Sequence, residues 1–303
     1  MKNLSDSDLE KVIQDKFWKS LAEMVLLSSE DDNDKFLNEY RWALSLWAEY
    51  TNDTKNKVIV TLDGRDTAWK WSNIKRVTEY FDIKRYDVNA YWIPSSEERI
   101  NYNWFNRYMN DFPDEGKVSF FDRSWYNRAW VEAAMWFCSK EEYVWFMKNV
   151  NQFEKDQIVD MWIDFVKVYL SITKNTQKER LQWRESARKR WKSSIIDAKA
   201  QEKWNSYTRA KYKMLELTDS EHSPWLVIDS NKKFLSASEI IKAIIRTSDE
   251  VSKMVKKDLS IDLSVNKKVA RTASEELKRM KQTDDFEKMK SEFQFREEEK
   301  VKA

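Results

Sequence analysis

The chain has 303 residues, 41% hydrophobic and 35% charged, with a formal charge of +2 and a mean hydropathy of −0.81. Such a balance supports a sizeable core and gives no overall attraction to nucleic acid or an anionic membrane, so a polyanion site must be a local cluster of arginine and lysine. Cys138, the one cysteine, excludes an internal disulfide; with a polar start unlike a signal peptide and no apolar run near membrane-span length, the cytoplasm is the expected compartment.

Residues 1–55 read as an N-terminal helical extension. Leu4, Leu9, Val12, Ile13, Phe17 and Leu21 recur at helical spacing, and 36–50 repeats the pattern after an acidic break at 30–34. The polar face is mixed in sign, which favours a helical layer on the core over a membrane-surface or partner-binding helix. From residue 56 to 247 strand alternates with helix. The predicted strands are 57–62, 85–90, 117–121, 165–172 and 225–228; predicted helices include 72–80, 95–109, 129–150 and 201–217. Alternation of this kind predicts an α/β fold, a parallel sheet between two helical layers, with ligands beyond the carboxyl ends of the strands. Residues 248–303 lack Gly, Pro and Trp and are dense in Lys, Glu, Asp and Ser, which predicts a charged helical or partly disordered tail.

Three stretches carry chemistry. Val58 to Leu62 is an apolar run ending in the turn Asp63-Gly64-Arg65-Asp66, with Thr67, Ala68, Lys70 and Ser72 following. Strand, turn, lysine and helix is the layout of a phosphate-binding loop. Such a loop needs glycine beside the lysine so that backbone N–H groups approach phosphate, yet Lys70 stands between Trp69 and Trp71. The second stretch, 117–128, is a strand ending in Asp122, the place for a carboxylate holding Mg²⁺, with Arg123 and Arg128 next to pair with phosphate; a helix N-cap is the other reading of that Asp. The third, 177–192, holds seven Arg and Lys, including Arg180, Arg184, Arg188, Lys189 and Arg190. It reads as a lid over a phosphate chain or as a solvated basic face. His222 is the only histidine and has no Cys or His cluster, so zinc is not expected; Ser124 has no nearby base and reads as a helix cap.

At these motifs the sequence resembles the polyphosphate kinase 2 family. LDGRDTAxKx at 62–71 is similar to its phosphate-binding loop, and FDRSWYNRAxVE at 121–132 to its second motif. FCSKEEY (137–143), RWK (190–192), YTRAK (207–211) and SPW (223–225) extend the likeness over about 56–245. The resemblance implies a three-layer P-loop kinase fold with a helical lid, and Mg²⁺-dependent phosphoryl transfer between inorganic polyphosphate and a nucleoside mono- or diphosphate. Carried over position by position, Asp66 and Asp122 would organise Mg²⁺, Lys70 and Arg123 would hold the transferring group, and Asn127, Arg128 and Glu132 would shape the acceptor side. Arg180 and Arg184 would act from the lid. A homo-oligomer, dimer or tetramer, is implied as well.

The departures follow one rule. Trp69, Trp71, Trp92, Trp130, Trp136 and Trp162 stand where the family has glycine, whereas Trp125, Trp191, Trp204 and Trp225 stand where it has tryptophan. The chain has 16 tryptophans and 2 glycines, against roughly 21 glycines expected at an average usage near 7%. One residue type going repeatedly to one other at constrained sites implies UGA codons that mean glycine and were read as tryptophan. If the indoles are real, the alternative is a catalytically dead polyphosphate- or nucleotide-binding protein. A kinase using ATP as donor on the same fold is a third reading. An indole at a left-handed position costs about 1–2 kcal/mol, and six buried overpackings are expected to leave the chain as written poorly folded.

Overall fold

In the computed structural model, residues 32–91, 93–185 and 201–283 are described. The elements in chain order are α1 (Asp32–Thr54), β1 (Lys57–Gly64), α2 (Lys70–Val77), β2 (Tyr86–Ala90), α3 (Asn101–Met109), β3 (Val118–Asp122), α4 (Val131–Met135), α5 (Lys140–Glu154), β4 (Ile163–Ser171), α6 (Lys174–Glu185), α7 (Trp204–Thr218), β5 (Trp225–Asp229), α8 (Lys233–Ile245), α9 (Asp249–Asp258), β6 (Ala270–Thr272) and α10 (Ala273–Lys281). All five predicted strands form. They make one sheet in the order β2-β3-β1-β4-β5-β6, parallel except for β6, which pairs antiparallel with β5.

The sheet is covered on both faces because its central strands are apolar at both. From Val58 to Gly64 every residue of β1 is buried. Val58, Val60 and Leu62 pack with α1, α2, α8 and α9, while Ile59, one residue out of phase, packs with α3, α4, α5 and α7. Period-two alternation thus produces the three layers. The N-terminal layer is real from residue 32: Trp47 in α1 is buried and its indole N–H donates to Thr247 Oγ1 at 3.2 Å. Residues 1–31 lie outside the described residues.

Two helical expectations change. The predicted helix over 129–150 is broken: α4 ends at Met135, and α5 starts afresh from a capping box between Ser139 and Glu142. Trp136 between them has φ 61° and ψ 37°, a left-handed residue that stops a helix. The segment after 247 is helical and charged as its composition suggests, but over 249–283 it is also packed. Val251 and Val255 of α9 are fully buried, and β6 extends the sheet. Sparse apolar residues at the right spacing suffice to bury one face, and a three-residue edge strand leaves no periodicity to read.

The tryptophans divide into two populations. Trp125, Trp204 and Trp225, where the resemblance implies tryptophan, are buried, and the indoles of Trp125 and Trp225 donate to Glu154 Oε1 at 3.1 Å and Thr218 Oγ1 at 2.9 Å. Of those where the resemblance implies glycine, Trp69, Trp136 and Trp162 have φ of 62°, 61° and 56°. Trp71, Trp136 and Trp162 are 54%, 66% and 90% exposed, so among the described residues the expected overpacking is limited to Trp130, at 2%, and the half-buried Trp69. Exposed indoles overpack nothing; the cost at 69, 136 and 162 is backbone strain. Trp92 is outside the described residues. Replacing Trp136 by glycine should therefore raise stability by about 1 kcal/mol and Tm by about 2–4 °C. Thermal denaturation checks this; an unchanged or lower Tm would refute the strain.

Asp164, near the start of β4, is half-buried, and burial alone pushes its carboxyl up to about 6. The folded state then binds this proton more tightly than the unfolded chain, so stability falls as pH rises from about 4 to 6. Discounted for its partial exposure, Asp164→Asn should stabilise the protein at pH 7.5 by on the order of 1 kcal/mol and leave pH 4 unchanged. Denaturant titrations at the two pH values test this, and equal shifts at both would contradict it.

Candidate active site

Adjacent strands bring the first two motifs together. Leu62 of β1 and Asp122 of β3 are register partners, so the turns after them open at the same edge of the sheet. The Arg123 N–H donates back to the Leu62 carbonyl at 3.1 Å, and the Arg123 guanidinium bridges to Asp66 Oδ1 at 2.9 Å. Arg123 has φ 75° and Thr67 φ 68°, so both turns are strained where they meet. Gly64 at φ 149° has no alternative: a Cβ there would lie 2.5 Å from the Leu170 carbonyl oxygen.

The loop is held from four sides. Asp63 is fully buried and accepts Ser124 Oγ at 2.6 Å, while Ser124 Oγ also accepts the Tyr126 N–H at 3.2 Å, the cap expected of it. Burial raises the Asp63 carboxyl above the usual range, with the Ser124 bonds opposing. Arg65 donates to Thr208 Oγ1 at 2.7 Å and stacks on Trp204 at 3.7 Å, fastening α7 to the loop. Ser230, after β5, donates to the Ala68 carbonyl at 2.8 Å. Gln177 in α6 donates to the Asp66 carbonyl at 3.2 Å.

Lys70 is the first residue of α2 and 7% exposed. Its ammonium turns back onto the Gly64 carbonyl at 2.8 Å. Burial lowers its pKa, as does Arg123, while Asp122, Asp66 and Asp63 pull the other way. Lysine, arginine and two carboxylates thus share one small volume, with the open start of a helix beside them.

The Asp122 carboxylate has one buried oxygen, Oδ1, without a hydrogen-bond partner. With Asp66 beside it across Arg123, the pair suits Mg²⁺, which takes one or two carboxylates and completes its shell with water and substrate phosphate. Among the described residues no group of three or more His, Cys, Asp or Glu forms a metal cage.

Other predicted residues fall elsewhere. Arg128 is fully buried, paired with Glu132 Oε2 at 3.2 Å, donating to the Arg99 carbonyl at 3.0 Å and stacked on Trp104 at 3.9 Å. In this conformation Arg128 and Glu132 are buried together and are not open to solvent. Asn127 Oδ1 is buried and lacks a partner. Arg180 is brought to the loop: it donates to the Thr67 carbonyl at 2.7 Å and to the carbonyls of Ser230 and Asn231 at 2.8 and 3.1 Å. Burial pushes its guanidinium down to about 10. Arg184 lies in α6, and Arg188, Lys189 and Arg190 are outside the described residues. Cys138 is half-buried, its thiol pushed up to about 11 by desolvation, and takes no part. Sequence reasoning passed over Lys233, which stacks on the Trp69 indole at 3.7 Å; the mixed Asn-Lys-Lys turn after β5 gave no sign of it.

Comparison with known proteins gives the family. The model of the family Polyphosphate kinase 2 (PPK2) matches residues 27–257. This chain belongs to the polyphosphate kinase 2 family. It is 32% identical over 226 residues to "Polyphosphate kinase PPK2B" of Corynebacterium glutamicum, covering 74% of this chain and 73% of the relative. It is 35% identical over 207 residues to "NDP-polyphosphate phosphotransferase 2" of Ruegeria pomeroyi, covering 68% and 59%, and 36% identical over 201 residues to "GDP-polyphosphate phosphotransferase" of Pseudomonas aeruginosa, covering 66% and 56%. The chain thus spans little more than half the length of the last two. A Pseudomonas aeruginosa PA01 structure described as a polyphosphate kinase 2 superposes with TM-score 0.67 at 27% identity, over 76% of this chain and 50% of that one. Polyphosphate Kinase 2 from Arthrobacter aurescens TC1 superposes at 0.66 and 24% identity, over 78% and 83%, a likeness of fold. Membership places the chain among transferases.

Proposed function

We propose that this protein transfers a phosphoryl group between inorganic polyphosphate and a nucleoside mono- or diphosphate. The observation that carries the reading is the convergence of Asp66, Lys70, Asp122 and Arg123 at the paired ends of β1 and β3. Phosphoryl transfer asks for positioning and neutralised charge more than for covalent work by the protein. Lys70 and Arg123 would hold the moving group. Asp66, freed from Arg123 by phosphate, would orient the accepting phosphate. Mg²⁺ held by Asp122 and Asp66 would neutralise charge on the phosphate oxygens. Arg180, which ties α6 to the loop, would close the lid over the chain, helped by Arg184 and the basic residues beyond. Buried Arg128 and Glu132 would keep the acceptor wall in place, with Asn127 facing the acceptor. The expected setting is the cytoplasm, as a homo-oligomer; among the described residues no helix is long and apolar enough to cross a membrane.

The natural protein is inferred to carry glycine at 69, 71, 92, 130, 136 and 162. Left-handed backbone at three of these supports the inference, since no other residue adopts it so freely. The test is a protein with glycine at all six. It should convert ADP or GDP to the triphosphate with polyphosphate and Mg²⁺, and stop when a chelator removes the metal. Activity with ATP as sole donor and none with polyphosphate would overturn the donor assignment. Inactivity with either donor, in a protein that melts cooperatively, would favour the binding-protein alternative.

A further inference from the structure

Trp69 is held between cations. The Arg180 guanidinium carbon lies 3.4 Å from the centroid of its ring and the Lys233 ammonium 3.7 Å from it. The indole stands in the phosphate loop immediately before Lys70, on backbone that favours glycine. Aromatic faces and phosphate oxygens are both electron-rich partners for such groups. Two cations that meet over a ring in a left-handed loop position, with the ring removed, border a space suited to an anion. Arg180 already gives N–H groups to three carbonyls, so its orientation is fixed without the ring. Lys233 opens α8, whose N-cap residue Lys232 supplies no side-chain cap. Trp69, Asn231, Lys232 and Lys233 line a cavity of about 530 Å³ on that side.

We propose that Lys233 is a substrate-binding residue, contacting the polyphosphate chain beside the phosphate loop once glycine replaces Trp69. This rests on the reading of the site as polyphosphate-using. It extends that site from the β1 and β3 turns to the turn after β5, so that a chain of phosphates lies along the loop with Lys70 at one end and Lys233 at the other. Lysine suits a repeating polyanion, because a point charge on a flexible stem accepts any register of the chain.

The test measures binding of a defined-length polyphosphate by calorimetry. Trp69→Gly should bind it at least about tenfold more tightly than the parent chain, and adding Lys233→Gln should remove about tenfold, with Lys233→Arg retaining most of it. Lys75→Gln, which deletes the same charge at an exposed site on α2, should cost far less. Trp69→Asn, whose side chain tolerates the left-handed region, repeats the series in a second background. Equal losses from Lys233→Gln and Lys75→Gln, or no gain from Trp69→Gly, overturn the proposal. In the protein with all six glycines, Lys233→Gln should raise KM for polyphosphate and leave KM for the nucleotide unchanged. Turnover with an unchanged polyphosphate KM would sink Lys233 alone and keep the reaction. Lys233-dependent binding without turnover would keep Lys233 and sink the reaction.

Discussion

Lys70→Ala in the glycine-restored protein is expected to lower turnover by roughly a thousandfold or more, because one preorganised charge in a water-poor site is worth that much to a phosphoryl transition state. Asp66→Asn should do the same by a different route. It removes the partner of Arg123 and a carboxylate that would face Mg²⁺, and leaves the loop backbone intact. Neither change should cost much stability. The Lys70 ammonium is desolvated and shares its volume with Arg123, so its removal relieves as much as it loses, and Asp66 pairs with a partly exposed arginine. Steady-state assays together with melting curves decide this. Turnover within about tenfold of the parent for either variant would remove that residue from the catalytic set.

The second large effect is on folding. Lys167 and Glu154 are fully buried and bridge at 2.8 Å. Lys167 also donates to Tyr126 Oη at 3.1 Å, the Thr218 carbonyl at 2.9 Å and Ser223 Oγ at 3.3 Å. Ser223 Oγ in turn donates to Glu154 Oε2 at 2.6 Å. Removing one partner strands a charge in the core, at about 3–5 kcal/mol. Lys167→Met should therefore drop Tm by about 10 °C or more. Lys167→Met with Glu154→Leu, which removes both charges, should recover much of the loss. Because Trp125 and Tyr126 of the Asp122 turn bond to this network, the single variant should also lose activity well below its Tm. A single variant within about 1 kcal/mol of the parent would show the pair to be dispensable.

How much of this was legible follows from where the information sits. β1, β3, β4 and β5 were readable because each is a largely apolar run bounded by turn residues, and the phosphate loop and Asp122 turn because their polar residues directly follow such runs. Lys70, Asp66, Arg123 and Asp122 come together because strand pairing puts Leu62 beside Asp122, which parallel alternation already implied. The role of Arg128 was harder to read. An arginine after such a turn resembles a phosphate ligand in sequence, and its burial against Trp104 and Glu132 is visible only in the packing. The break at 136–139 was hidden because an indole stands where a glycine would have announced it. Lys233 and β6 were not legible at all, since their meaning depends on neighbours more than 40 residues away.

β6 closes the sheet from late in the chain. Until Ala270–Thr272 is made, β5 presents an open edge of unpaired N–H and C=O groups next to the half-built site. During synthesis the turns after β1 and β3 are complete by residue 128, yet the strand that pairs with β5 follows more than 140 residues later. The nascent protein therefore carries both turns before the outer flank of β5 is covered.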